Sequence, residues 1–245
     1  MKNNRISVPV AALTLLFGLG NACAENDFVV YSPIVVQGQS EVEVSGFGYQ
    51  DGRSDLNGAR GYNLSIAHTF TDWWKTEIYL GQFNRAAGGS THPSGYELES
   101  TFQLTTPGEY WANLGVVASY AHSRETGIPD VVEFGPLLEK ISGHVEQRFN
   151  LVFGKQTGAG ASNAYAYRSA YSAKYNINAG RATYSPGIEV YLRPADNAYQ
   201  IGPVFSGELR SQGGAELGYS FGVVFGINQG APAKALLARL EYEFF

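Results

Sequence analysis

Glutamates recur two positions apart in this chain: Glu41 and Glu43, Glu97 and Glu99, Glu241 and Glu243. In an extended strand, residues two apart share one face, so each pair lines up carboxylates on a single surface. The same spacing sets Glu77 two residues from Lys75, Glu146 two from Arg148, and Arg239 two from Glu241. Glu133, Glu139, Arg168, Lys174, Glu189 and Arg193 fall on the same kind of face in their own segments. Approximate registers put Arg148 beside Glu139 and Glu146, and Arg168 diagonal to Glu189. Such a surface has two uses: ion pairs that stiffen a narrow interior, or fixed charge along a water-filled passage.

Catalysis needs more than this. The histidines are His68, His92, His122 and His144, and none reads as part of a Ser–His–acid arrangement. His68 is placed on the apolar parity opposite Thr76, His92 and His122 in or beside loops, and His144 near Glu146 at a rim. No catalytic residue, metal ligand set or cofactor site is assigned. The single cysteine, Cys23, excludes both a disulfide framework and a Cys/His metal cluster.

The elements that position the charges are strands. Apolar residues alternate through Tyr62, Leu64, Ile66 and Phe70, through Tyr96, Leu98 and Phe102, and through Leu217, Tyr219, Phe221, Val223 and Phe225. About twelve such segments follow one another: 41–50, 60–71, 73–84, 95–106, 109–122, 131–140, 144–154, 164–176, 182–193, 198–209, 214–227 and 234–245. Most run to roughly 10–14 residues, longer than soluble strands and right for a tilted membrane-spanning strand. Short turns at Thr71-Asp72, 106–108, 141–143, 177–180 and 210–213 alternate with mostly longer polar loops. The short 194–197 connection departs from that alternation. The apolar parity of strands two to twelve is read as free of Asp, Glu, Lys and Arg, and tyrosines gather at strand ends. These features predict an all-β fold: a single antiparallel, up-and-down transmembrane β-barrel with both termini on the periplasmic side.

Residues 1–24 read as a secretory signal: Lys2 and Arg5, then an apolar run, then Ala22-Cys23-Ala24. Its removal leaves 15 basic residues against 22 acidic ones, a net charge of −7. Nucleic acid is excluded as a partner on that balance. Residues 25–40, with the apolar run Phe28 to Val36, are expected as a periplasmic N-terminal segment or a plug, and 41–245 as the barrel.

The segments TDWWKTE (71–77), PGEYWA (107–112), EFGPLLEK (133–140) and YQIGPVFSG (199–207) resemble a family of small proteobacterial outer-membrane barrels. That family is loosely similar to the transporter-like group named for the meta-cleavage pathway of phenol degradation. The resemblance implies the outer membrane, lipid as surroundings, and transport of small solutes, hydrophobic ones included. The closing RLEYEFF resembles the signal by which such barrels meet their assembly machinery.

Together these readings favour a channel or transporter with a net acidic lumen. A closed structural or surface-interaction barrel is the alternative, ahead of a lipid-modifying enzyme. Finally, Pro136, Pro186 and Pro203 each adjoin a glycine on the apolar parity. They are expected to cause bulges that either only increase the curvature of the wall, the favoured reading, or, at Pro186 and Pro203, open a lateral gap between their adjacent strands.

Overall fold

A computed structural model describes residues 28–245; the expected signal segment 1–24 lies outside the described residues. The strands are β1 (Ser40–Gln50), β2 (Arg60–Thr71), β3 (Trp74–Arg85), β4 (His92–Gln103), β5 (Asn113–Ser123), β6 (Asp130–Ser142) and β7 (Val145–Thr157). Then come β8 (Tyr165–Tyr175), β9 (Ile177–Ala179), β10 (Ala182–Arg193), β11 (Ala198–Arg210), β12 (Glu216–Gly226) and β13 (Lys234–Phe244). Each neighbour pair is antiparallel and β13 returns to pair with β1, giving a closed 12-strand barrel with one extra short strand. Closure gives each of the twelve long strands a partner on both edges, which is what a hydrocarbon surrounding demands of a sheet.

Alternation of side chains builds two chemically opposite faces. Outward lie Leu64, Ile66, Leu98, Phe134, Phe205, Phe221, Leu236 and Leu240, all exposed; inward lie Ser65, Glu99, Asn150, Ser172 and Gln200, all buried. The outer face is not wholly free of charge, as the alternation had suggested. Arg60, Lys140 and Lys234 share its parity. Each stands near a strand end, where a long side chain reaches the headgroup level. Arg60 Nη1 donates to Tyr62 Oη at 3.3 Å, and Lys140 Nζ lies 5.5 Å from the Trp111 ring centre.

The turns differ from expectation in two places. Residues 177–180 do not form a loop: β9 continues the line of β8 past Asn176, and both pair with β10. The turn is Gly180-Arg181, with the glycine in the left-handed region (φ +67°) that a two-residue hairpin requires. Conversely, the 106–108 turn is part of a longer connection, 104–112. Side chains close it, Thr105 Oγ1 accepting from Leu114 N–H at 2.8 Å and Asn113 Oδ1 from Gly108 N–H at 3.0 Å.

A strict period of two also fails within β3. A bulge at Leu80-Gly81 shifts the pairing with both β2 and β4. Beyond it the parity inverts, so Gln82 and Asn84 face inward and Phe83 outward.

The prolines behave differently from the expected bulges. At Gly135-Pro136 the β6–β7 pairing lapses between Phe134↔Phe153 and Leu137↔Asn150, then resumes in the same register. At Gly202-Pro203 the β11–β12 pairing lapses between Ile201↔Phe225 and Val204↔Gly222, again unshifted. Proline offers no N–H, and the facing carbonyl leans over the adjacent glycine instead. A Cβ on Gly135 would stand 1.9 Å from Leu151 O, and one on Gly202 1.9 Å from Val223 O. The lapse beside Pro186 faces β8 and β9. Pro186 and Pro203 therefore interrupt opposite edges of the β10–β11 hairpin. Between them the pairing runs unbroken from Ala182↔Leu209 to Arg193↔Ala198, with Pro186 opposite Phe205 and Pro203 opposite Ile188. The expected shared gap at that seam is absent.

Candidate functional site: the occupied lumen

Residues 28–39, ahead of β1, do not sit outside the barrel. A turn at Val36–Gln39 carries the chain from β1 back into the interior. Gly38 takes φ +82°, its N–H donates to Thr69 O at 2.9 Å, and Thr69 N–H donates to Gln39 O at 2.9 Å. From there the segment climbs the lumen. Val35 N–H donates to Gln103 Oε1 (2.9 Å), and Ser32 Oγ to Glu139 Oε2 (3.1 Å). Asn150 clasps Tyr31 from both sides, accepting from its N–H at 2.7 Å and donating to its carbonyl at 3.1 Å. Pro33 is fully buried against Gly115, where a Cβ would meet the proline's own Cβ at 2.8 Å. Phe28, at the far end, fits among Phe47, Tyr49 and Tyr191, with ring centres 5.2–6.2 Å apart.

Phe28, Val29, Val30 and Val35 are buried. Each such side chain contributes about 1.5–3 kcal/mol of transfer free energy, less the cost of ordering the segment. Among the described residues, the hydrogen bonds from residues 28–35 to the wall are made with its side chains, not with a strand's backbone ladder. The segment can therefore leave its seat without breaking any pairing of the barrel wall. What space remains beside it is small: cavities of about 70 Å³ and about 110 Å³, both touching Val30, Arg148 and Arg239.

The charged residues around the segment fall into two groups. On one side, cations and carboxylates pair closely. Arg148 bridges Glu139 (2.8 Å) and Glu146 (3.0 Å), as their strand positions suggested. Lys174 meets Glu189 at 3.3 Å. Arg168 does not reach Glu189; it bonds Glu133 at 2.6 Å and lies 5.9 Å from the Tyr31 ring centre. The contact spans β7, where Gly154 stands opposite Glu133. Arg193 lies 6.0 Å from the Phe28 ring centre.

On the other side, Lys75 pairs with Glu41 (2.7 Å) and Arg239 with Glu43 (3.4 Å). Glu77, Glu97, Glu99 and Glu241 enter none of the ion pairs among the described residues. Glu77 accepts from Ser65 Oγ at 2.5 Å, and Glu97 from Gln82 Nε2 at 3.3 Å. Glu99 is 2% exposed, and its Oε2 has no hydrogen-bond partner.

The histidines do not converge. His92 meets Glu125 (3.2 Å) and His122 meets Asp130 (2.8 Å) at the long-loop end, and His144 is an exposed turn residue bonded to Asn176 O. His68 does contact a serine from the preceding strand, Ser40 Oγ to Nδ1 at 2.9 Å, which spacing along the chain did not reveal. The described bonds of His68 include no carboxylate. Two outer loops are also tied together. Arg53 donates to Gln229 O and Ala231 O (2.6 Å each), and Asp51, held well below the usual carboxylate range by that arginine, accepts from Ala233 N–H at 2.7 Å.

The segment's cradle, Asn150, Gln103, Tyr191 and Gly115, was missed from sequence. Its only signal there is an uncharged amide, phenol or glycine on the charged parity.

No protein-family model matches the sequence, and neither does any curated protein. Solved barrels do match in shape. The NanC porin structure covers 83% of this chain and 99% of its own at a TM-score of 0.52 and 11% identity. The fold is that of a porin-type barrel. Other likenesses are looser. A bacterial polysaccharide outer membrane secretin gives a TM-score of 0.44 at 9% identity, covering 86% of this chain and 99% of its own. Salmonella typhi OmpF in complex with daunomycin gives 0.34 at 7%, covering 90% and 99%.

Proposed function

We propose that the protein is an outer-membrane channel for small solutes, closed by its own N-terminal segment when residues 28–36 are seated. The observation that carries this reading is the segment itself. It fills a lumen lined by charged and amide side chains, and wall side chains rather than strand pairing hold it. A barrel needing only rigidity would gain more from apolar packing than from buried ion pairs, which often break even against it.

Passage opens when the segment swings out on the Val36–Gln39 turn, uncovering a path whose excess charge is negative. Neutral and cationic small molecules suit that path, hydrophobic ones included; large anions do not. Export to the periplasm and insertion through the assembly machinery by way of β13 belong to the same reading. Catalysis is not part of it, because the Ser40–His68 contact has no orienting acid.

The test is swelling of proteoliposomes in a small neutral sugar. Deletion of 28–36 should produce swelling that the intact chain does not. A folded, heat-modifiable deletion variant that leaves the liposomes impermeable would remove the channel reading.

A further inference from the structure

Six glutamates of the lumen follow the sheet in a single line. Taking direct cross-strand partners around the wall gives Glu216, Glu243, Glu41, Ala67, Glu77, Glu99, Ser119 and Glu133 in succession. Glu216 and Glu41 stand at the short-turn ends of β12 and β1, whereas Glu133 stands near the long-loop end of β6. Because the strands are staggered, this row climbs the barrel as a ramp from one mouth toward the other. Neighbouring strands lie about 4.8 Å apart, so consecutive carboxylates are one or two such steps from each other.

A row of acids alone would be only a charged wall. The cavity beside it adds a second observation. About 110 Å³ in volume, it is lined by Glu43, Glu77, Glu99 and Glu241 together with Lys75 and Arg239. Both cations are committed, Lys75 to Glu41 and Arg239 to Glu43. Arg148, which also borders the cavity, is held by Glu139 and Glu146. Glu77, Glu99 and Glu241 thus face the space without an ionic partner, and the buried Glu99 Oε2 has no hydrogen-bond donor at all. Leaving such an oxygen unsatisfied carries the full desolvation cost of the group. A cation in the cavity would satisfy it. The space exceeds the roughly 10–15 Å³ that one water needs, so an ion can keep part of its hydration shell.

We infer that this ramp is a path for small hydrated monovalent cations, used while residues 28–36 remain seated. The inference rests on the channel reading and deepens it: the segment excludes organic solutes, and the carboxylates beside it pass alkali cations. Ions step along the row at Glu77 and Glu99, its members without an ion pair, while Glu41 and Glu133, held by Lys75 and Arg168, bound these steps and Glu43 and Glu241 flank them. No ion is held tightly, because the lining gives a loose site and not a coordination shell: no three or more His, Cys, Asp or Glu side chains among the described residues are arranged to chelate a metal ion.

Reversal potentials in a KCl gradient across planar bilayers test this on the full chain. The intact protein should show small currents with roughly tenfold preference for K⁺ over Cl⁻. Replacing both carboxylates in Glu77→Gln/Glu99→Gln should reduce that to about twofold or less. Asp55→Asn, an exposed loop change, should leave it unaltered. Unchanged selectivity in the folded double variant would overturn the ramp, as would an intact chain that passes both ions equally. A third result separates the two ideas. If the intact chain carries no current while the 28–36 deletion conducts, the ramp fails and the channel stands. Silence from both folded barrels overturns both. If the double variant does not fold, Glu99→Gln alone should still lower the preference at least in part, and no change there counts against the ramp.

Discussion

The two sides of the lumen solve the same electrostatic problem in opposite ways. Along β6, β7, β8 and β10, each buried carboxylate has a guanidinium or ammonium within reach: Glu133 with Arg168, Glu139 and Glu146 with Arg148, Glu189 with Lys174. Along β3 and β4, Glu77, Glu97 and Glu99 are packed together with hydroxyl and amide partners only. The paired side resembles a structural interior, where removing one partner strands a charge. The unpaired side keeps charge that it does not need for folding. Stability therefore belongs to the first wall and selectivity to the second.

The largest effect should come from breaking a pair on the structural wall. Arg168→Met leaves Glu133 buried without its cation and should destabilise the barrel by about 3–5 kcal/mol. The double change Arg168→Met/Glu133→Gln should recover most of that loss. Denaturant unfolding in detergent measures both, and equal losses in the single and double variants would show that the pair does not act as a unit.

Next is the same kind of change on the opposite wall. Glu99→Gln keeps the shape and removes a buried carboxyl that has no ionic partner, so stability should hold or rise by about 1 kcal/mol. A loss like that of Arg168→Met would erase the distinction between the walls. The smallest effect concerns the seams. Pro203→Val restores an N–H toward β12 and should add about 0.5–1.5 kcal/mol without altering conductance. A changed conductance would return the seam to consideration as a route.

Much of this was legible in the chain. The barrel follows from period-two alternation over long segments, because a strand between lipid and a polar lumen has no freedom in which face is apolar. The inward position of Glu77, Glu99, Glu133, Arg148 and Lys174 follows for the same reason. Pairing across several strands is less local. Arg168 reaches Glu133 across β7, past Gly154 on the strand next to the acid, a contact that no spacing along the chain reveals. The bulge at Leu80-Gly81 was hidden because Phe83 supplies an apolar residue to the outer face after the parity inverts. The prolines misled for a related reason: a glycine beside each absorbs the lost donor by close approach, so the register never shifts. The seating of Phe28, Tyr31 and Pro33 was least legible, since an apolar run before a barrel looks alike whether it trails or folds inward. Asn150 gave no hint that its amide clasps a backbone.

The central claim is that residues 28–36 close a solute path through the barrel. Unitary conductance in KCl, compared between the intact chain and a 28–36 deletion that is shown to be folded, tests it most directly. The account predicts uniform openings in the deletion variant several-fold larger than the small currents of the intact chain. Equal conductance in the two proteins would contradict it.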